Sequence, residues 1–193
     1  KYLTYFLLSA NVFVFLQEEM LALQYTFTDG IGLGDIIQAF SATIDTTAWV
    51  ILLLLFELET RGLPWTLRSR AALALNGLRL LATGAIVWSA MVFVEEQEWL
   101  DAANGWLWIG VVILLELEFR VPVLIARWRR AAVAAAILLY SALTVVAAAW
   151  WVQGEWFDGY DAVLWITAFV LLEMDLLGRI PGSSKPVPKG ISK

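Results

Sequence analysis

Polar and apolar positions along this chain do not alternate, and they show no helical stripe; they separate into long apolar runs bounded by short charged clusters. Six such runs lie at about 2–18, 36–58, 71–94, 104–126, 131–152 and 161–180, and each approaches the roughly 20 residues that an α-helix needs to cross a bilayer core. The pattern predicts six transmembrane helices in a single domain over 1–180. The first run is expected to be a retained helix and no cleaved signal, because no small-residue cleavage site follows it and it ends in Gln17, Glu18 and Glu19. Residues 181–193 are rich in Pro, Gly, Ser and Lys, a composition that cannot bury a core, and are predicted to form a flexible cytoplasmic tail.

Composition agrees with this and narrows the chemistry. Of 193 residues, 61% are hydrophobic and only 16% charged, against about a quarter charged in a soluble domain. The chain has no Cys and no His, which removes disulfides, thiol catalysis and the usual zinc sites and leaves carboxylates as the candidate proton carriers or hard-cation ligands. No cofactor, nucleic-acid partner or enzymatic activity is expected.

Charge distribution sets the expected orientation. Basic residues gather in 61–70, 120–130 and 179–193, so the positive-inside rule places these segments and both termini in the cytoplasm, at a plasma or inner membrane, facing anionic lipid. The opposite side carries Glu18, Glu19, Asp29, Asp35, Glu95, Glu96, Glu98, Asp101, Glu155 and Asp158, with Asp45 and Asp161 nearby and no Lys or Arg. A field of that sign gathers cations.

An internal repeat organises the chain. Trp49 precedes Glu57-Leu58-Glu59, Trp108 precedes Glu116-Leu117-Glu118, and Trp165 precedes Glu173-Met174-Asp175, with seven residues between Trp and the first acid each time. Upstream, Glu98-Trp99-Leu100-Asp101 and Glu155-Trp156-Phe157-Asp158 begin the same 18 residues before their acidic pairs. This periodicity predicts three tandem helical hairpins, at about 1–61, 70–120 and 130–179, arranged around an axis along the membrane normal. The first carries an outer-loop insertion at about 22–43. The three repeated tryptophans are expected to pack between hairpins, and the Ala-rich third and fifth runs to make the tight inner contacts.

The acidic pairs are the candidate ion pathway: Glu57, Glu59, Glu116, Glu118, Glu173 and Asp175. An ionised side chain in a bilayer is costly and normally faces a partner, a water-filled cavity or the bundle interior. Two acids two residues apart lie about 200° apart around a helix, so the members of a pair cannot face the same way. Arg61, Arg120 and Arg179 stand four residues after Glu57, Glu116 and Asp175, the favourable order for a helical ion pair. Glu59, Glu118 and Glu173 lack such a neighbour. Arg79, inside the third run, is the candidate to neutralise one of them across the bundle, and Asn11 and Tyr140 are further polar groups within runs. Pro122 is expected to bend the fourth helix.

The one Gly-rich stretch, Gly30-Ile31-Gly32-Leu33-Gly34-Asp35, resembles the selectivity filter of potassium channels, which implies a re-entrant pore loop using Gly30, Gly32, Gly34 and Asp35. Gly30 stands where that filter has Thr, and Gln38 where Pro is usual. Gly32-Leu33-Gly34-Asp35 with Tyr160-Asp161 also resembles the two motifs of intramembrane aspartyl proteases, in reversed order. A plain glycine turn with Asp35 as the N-cap of the next helix accounts for the same residues. No family is assigned from these motifs. Function is therefore expected in one of two classes: a cation channel or transporter, for protons or metal ions, using membrane-embedded carboxylates in an oligomer; or a non-catalytic scaffold subunit of a larger membrane complex.

Overall fold

The structure is a computed structural model and describes residues 1–26, 32–60 and 70–177. Those residues form eight α-helices and no strand: α1 (Tyr2–Thr26), α2 (Leu33–Ala39), α3 (Ser41–Thr60), α4 (Arg70–Glu95), α5 (Trp99–Arg120), α6 (Pro122–Arg127), α7 (Arg129–Gln153) and α8 (Trp156–Leu177). Five of them, α1, α3, α4, α5 and α7, are long and apolar enough to cross a membrane. The 22-residue α8 carries four acids, Asp158, Asp161, Glu173 and Asp175, and is not among these five.

Two of the six apolar runs are broken where the backbone demands it. The run at 36–58 divides at Phe40, which closes the short α2 before α3 begins. The run at 104–126 ends as a regular helix at Arg120. Pro122 has no N–H to continue the ladder and forces the residue before it out of the helical region, and Val121 sits at φ −132°, ψ 55°. The expected bend is a full break, with α6 as a separate turn and a half.

The six long helices pack in chain order and close on themselves: α1 on α3, α3 on α4, α4 on α5, α5 on α7, α7 on α8, and α8 back on α1. Neighbours are antiparallel, so one end of the bundle collects Lys1, Glu57, Arg79 and Arg120 and the other collects Glu19, Asp45, Glu98 and Asp161. We call these the arginine end and the acidic end.

At the acidic end, two tight turns join α4 to α5 and α7 to α8 by the same bonds. Glu98 N–H donates to the Phe93 carbonyl and Glu155 N–H to the Trp150 carbonyl, each at 2.9 Å. This is the six-to-one bond of a Schellman motif, which needs one residue in the left-handed region. Gly154 holds it at φ 92° and Gln97 at φ 64°.

The buried core comes mostly from α3, α5 and α8, with Leu53, Phe56, Val111, Ala168, Phe169 and Leu172 essentially inaccessible. The Ala-rich α4 and α7 add Ala82, Ile86 and Leu143 to this core and present Leu73, Leu80, Leu81, Ile137 and Leu138 outward, all more than 60% exposed. Their small residues face inward, with Ala82, Ala90 and Ala147 only 1–4% exposed. Glycines of α5 and α8 let neighbours come close to these two helices: a Cβ at Gly105 would stand 3.3 Å from Ala90 of α4, and one at Gly159 would overlap the Trp151 ring of α7. Bulk on the core-facing helices and an apolar outer wall together give a bundle that is hydrophobic all round, the property of a helix set buried in apolar surroundings.

Candidate functional site

An aromatic layer divides the interior. Trp49, Trp108 and Trp165, from the three copies of the repeat, are 3–7% exposed and meet at the centre. The Trp49 ring lies 6.2 Å from Trp108 and 6.3 Å from Trp165, and Phe169 fills the space beside them, 4.8 Å from Trp108. Equal spacing before each acidic pair places each tryptophan two turns from its acids, so the layer separates the polar groups of one end from those of the other.

At the arginine end the candidate pathway carboxylates are engaged by partners. Arg79 bridges two helices, with its guanidinium 2.6 Å from Glu59 and 2.8 Å from Glu116. Arg120 pairs with Glu116 at the expected four-residue spacing. Lys1 lies 2.6 Å from Glu57, whose carboxylate also accepts from the Tyr5 hydroxyl. The Tyr140 hydroxyl donates to Glu173 at 2.6 Å. Glu118 faces outward and is exposed. Arg61 and Arg179, proposed partners of Glu57 and Asp175, lie outside the described residues, as does the side chain of Asp175.

The Gly-rich stretch is placed in part. Gly30 and Ile31 lie outside the described residues. Gly32 caps α2, and Leu33, Gly34 and Asp35 are helical, so the Gly32 carbonyl accepts from Ile36 N–H within the helix. Asp35 is at the third helical position and accepts from Gly32 N–H at 3.0 Å, so it is the reaching-back acid of a capping box where an N-cap was expected. Asp35 is exposed and does not line the cavity that Asp161 lines.

That cavity is the feature sequence reasoning passed over. It has a volume of about 70 Å³, lies at the acidic end above the aromatic layer, and is lined by Asp45, Asp101, Asn104, Asp158 and Asp161 and, among the described residues, by no Lys or Arg. Trp49, Trp108, Trp150 and Trp165 complete its walls. Asn11 of α1 donates to Asp161 at 2.6 Å, and Asp45 and Asp161 are within hydrogen-bonding reach of the indoles of Trp49 and Trp165. The Oδ1 of Asn104 is buried and meets no hydrogen-bond partner among the described residues. The signal was present: each repeated tryptophan has a polar residue four positions earlier, Asp45, Asn104 and Asp161, one turn away on the same face. A search centred on the glutamates two turns beyond the tryptophans overlooked it.

Around the rim, Glu19 of α1 accepts from the Ala42 and Thr43 N–H groups at 2.8 and 3.2 Å and from the Thr43 hydroxyl, so a side chain of one helix caps the start of another. In the turn before α5, burial and then the charges of Glu96, Glu155 and Asp158 push the Glu98 carboxyl above its ordinary value. Among the described residues no three carboxylates converge closely enough to hold a metal ion.

No family model matches the chain, and no curated protein or solved structure matches it significantly.

Proposed function

We propose that this chain is an integral membrane protein of six transmembrane helices, α1, α3, α4, α5, α7 and α8, built as three tandem hairpins, which takes up a cation or proton from the acidic side. The five apolar helices, the apolar outer wall and the ring-like packing support the membrane reading. Matching turns at Gln97 and Gly154, 57 positions apart like Trp108 and Trp165, support the repeat. The acidic end then faces away from the cytoplasm, both termini face the cytoplasm, and α8 spans despite its four acids because Asp161 and Glu173 face partners inside the bundle.

One observation carries the functional reading: the cavity beside the aromatic layer, lined by four aspartates and the unpaired Asn104 oxygen and by no basic group. Acids inside a bundle without a counter-charge are stable when protonated or when a cation is bound. The open geometry of these acids favours a proton or a hydrated monovalent cation over a tightly ligated metal. Trp faces also attract cations. The aromatic layer separates this cavity from the Arg79 network, so transport needs the three tryptophans to part, and the networks at the two ends hold the closed form. On this reading the cation site is formed by Asp45, Asp101, Asp158 and Asp161, and Glu59 and Glu116 have a clamping role.

A scaffold role in a membrane complex is the second reading, favoured by the same clamp: every described carboxylate of the acidic pairs except Glu118 already has a partner inside the chain. Liposome reconstitution separates the two. Cation flux is expected, and Asp45→Asn with Asp161→Asn should lower it by about tenfold or more, which corresponds to about 1.4 kcal/mol or more of cation interaction lost by the pair. Protein that inserts and folds but gives no flux under any proton or salt gradient would leave the scaffold in front.

A further inference from the structure

At the arginine end, on the outer wall away from the clamp, the α6–α7 elbow concentrates positive charge that no acid among the described residues answers. Arg127 closes α6, Arg129 and Arg130 open α7, and Trp128 joins them. All four are exposed, and none of the three arginines pairs with an acid among the described residues. The position makes this costly. The first turn of a long helix already carries partial positive charge from its free N–H groups, so two cations there oppose the helix dipole. Arginines elsewhere at this end, Arg79 and Arg120, do have carboxylate partners.

The elbow lines a groove of about 800 Å³ whose wall changes character along its length. Arg130, Val133, Ala134 and Ile137 follow one another at three- and four-residue steps, so they form one stripe on α7. The stripe runs about 10 Å along the helix at 1.5 Å per residue, beginning with a guanidinium and ending in about 6 Å of apolar surface. Val133 and Ile137 are 51% and 61% exposed, and Val123 of α6 is 82% exposed. The charge end matches an anionic phosphate head and the stripe matches an acyl chain, in the order in which a lipid carries them. Arginine forks suit phosphate oxygens, and an exposed tryptophan suits the headgroup level.

We propose that this elbow is a binding site for one anionic phospholipid, with the phosphodiester held by Arg127, Arg129 and Arg130 and the chain laid along Val133 and Ile137. The site rests on the membrane reading above, and it adds to that reading a built position for one lipid.

The test uses the full chain. Insertion into phosphatidylcholine vesicles, read by resistance to alkaline extraction, tests the membrane reading first; a chain that does not insert overturns both. Native mass spectrometry of detergent-solubilised protein then counts retained phosphatidylglycerol against phosphatidylcholine. The wild-type chain should retain phosphatidylglycerol in preference. The triple variant Arg127→Gln, Arg129→Gln, Arg130→Gln should retain it about a hundredfold less well, roughly fivefold per arginine. Lys185→Gln, Lys189→Gln, Lys193→Gln removes the same charge from the tail and should change little. If the triple variant does not insert, Arg130→Gln alone takes its place, with about a fivefold loss expected. Equal retention by the arginine variants, an equal loss in the tail variant, or full displacement of the lipid by inorganic phosphate at the same concentration would each overturn the proposal.

Discussion

Arg79 reaches two carboxylates on two other helices, Glu59 of α3 and Glu116 of α5, with all three side chains less than a quarter exposed. Removing the guanidinium strands Glu59 and leaves Glu116 to Arg120 alone, and taking one partner from a largely buried ion pair costs about 3–5 kcal/mol. Arg79→Leu should therefore lower unfolding stability in detergent by about 3 kcal/mol or more, and Arg79→Lys, which keeps the charge but loses the fork, by less. The residue itself was legible in the sequence as a lone basic group inside an apolar run. Which acids it meets was not, because acids two positions apart point opposite ways and only the rotation of each packed helix decides which one turns inward. A second residue has a signed pH effect. Glu98 binds its proton more tightly in the folded chain than in the unfolded one, through burial and then repulsion from Glu96, Glu155 and Asp158. Its contribution to stability is thus full below the ordinary carboxylate value near about pH 4 and is lost as pH rises through the raised value. Glu98→Gln should melt higher than wild type at about pH 7 and lose that advantage on acidification, with the difference held under about 1 kcal/mol because the carboxyl is only partly desolvated and solvent still screens it.

Between helices, the two Schellman turns carry the fold's local signal with unequal side chains. Gly154 occupies the left-handed region freely, whereas Gln97 holds the same region with a Cβ that crowds the following carbonyl. Gln97→Gly should stabilise the chain by up to about 1 kcal/mol and Gly154→Ala should destabilise it by about 1–2 kcal/mol, opposite signs at equivalent positions. Thermal unfolding of the two variants side by side measures this. The break before α6 was readable from Pro122 because proline acts on its neighbour's backbone directly. The break at Phe40 was not, since no proline or glycine marks it; α2 ends there where Glu19 of a different helix accepts the first N–H groups of α3. Capping from a distant segment leaves no local pattern.

Across the molecule, opposite ends differ in sign: Lys1, Arg79, Arg120 and the elbow arginines at one, and the aspartates of the cavity with Glu19, Glu96 and Glu98 at the other. In a membrane, this asymmetry sets orientation. Single cysteines are readily introduced into a cysteine-free chain. Gln97→Cys should react with an impermeant thiol reagent on intact cells, and Ser184→Cys only after permeabilisation. The reverse pattern would turn the cavity toward the cytoplasm and defeat the proposed entry side.

By itself the sequence determined that this chain is helical and apolar, where most of its long helices run, that a Trp-to-acid spacing recurs three times, and that charge is divided between the two ends. Those properties follow from counts and spacings along one dimension, because a helix's length and faces are functions of residue order. Only the tertiary structure decided that the three tryptophans meet, that Arg79 selects Glu59 and Glu116, that Gly105 of α5 packs against Ala90 of α4, and that Asp45, Asp101, Asp158 and Asp161 share a cavity. Each of these depends on how helices from different parts of the chain are rotated against one another, a choice made by packing six surfaces at once, which no single segment encodes.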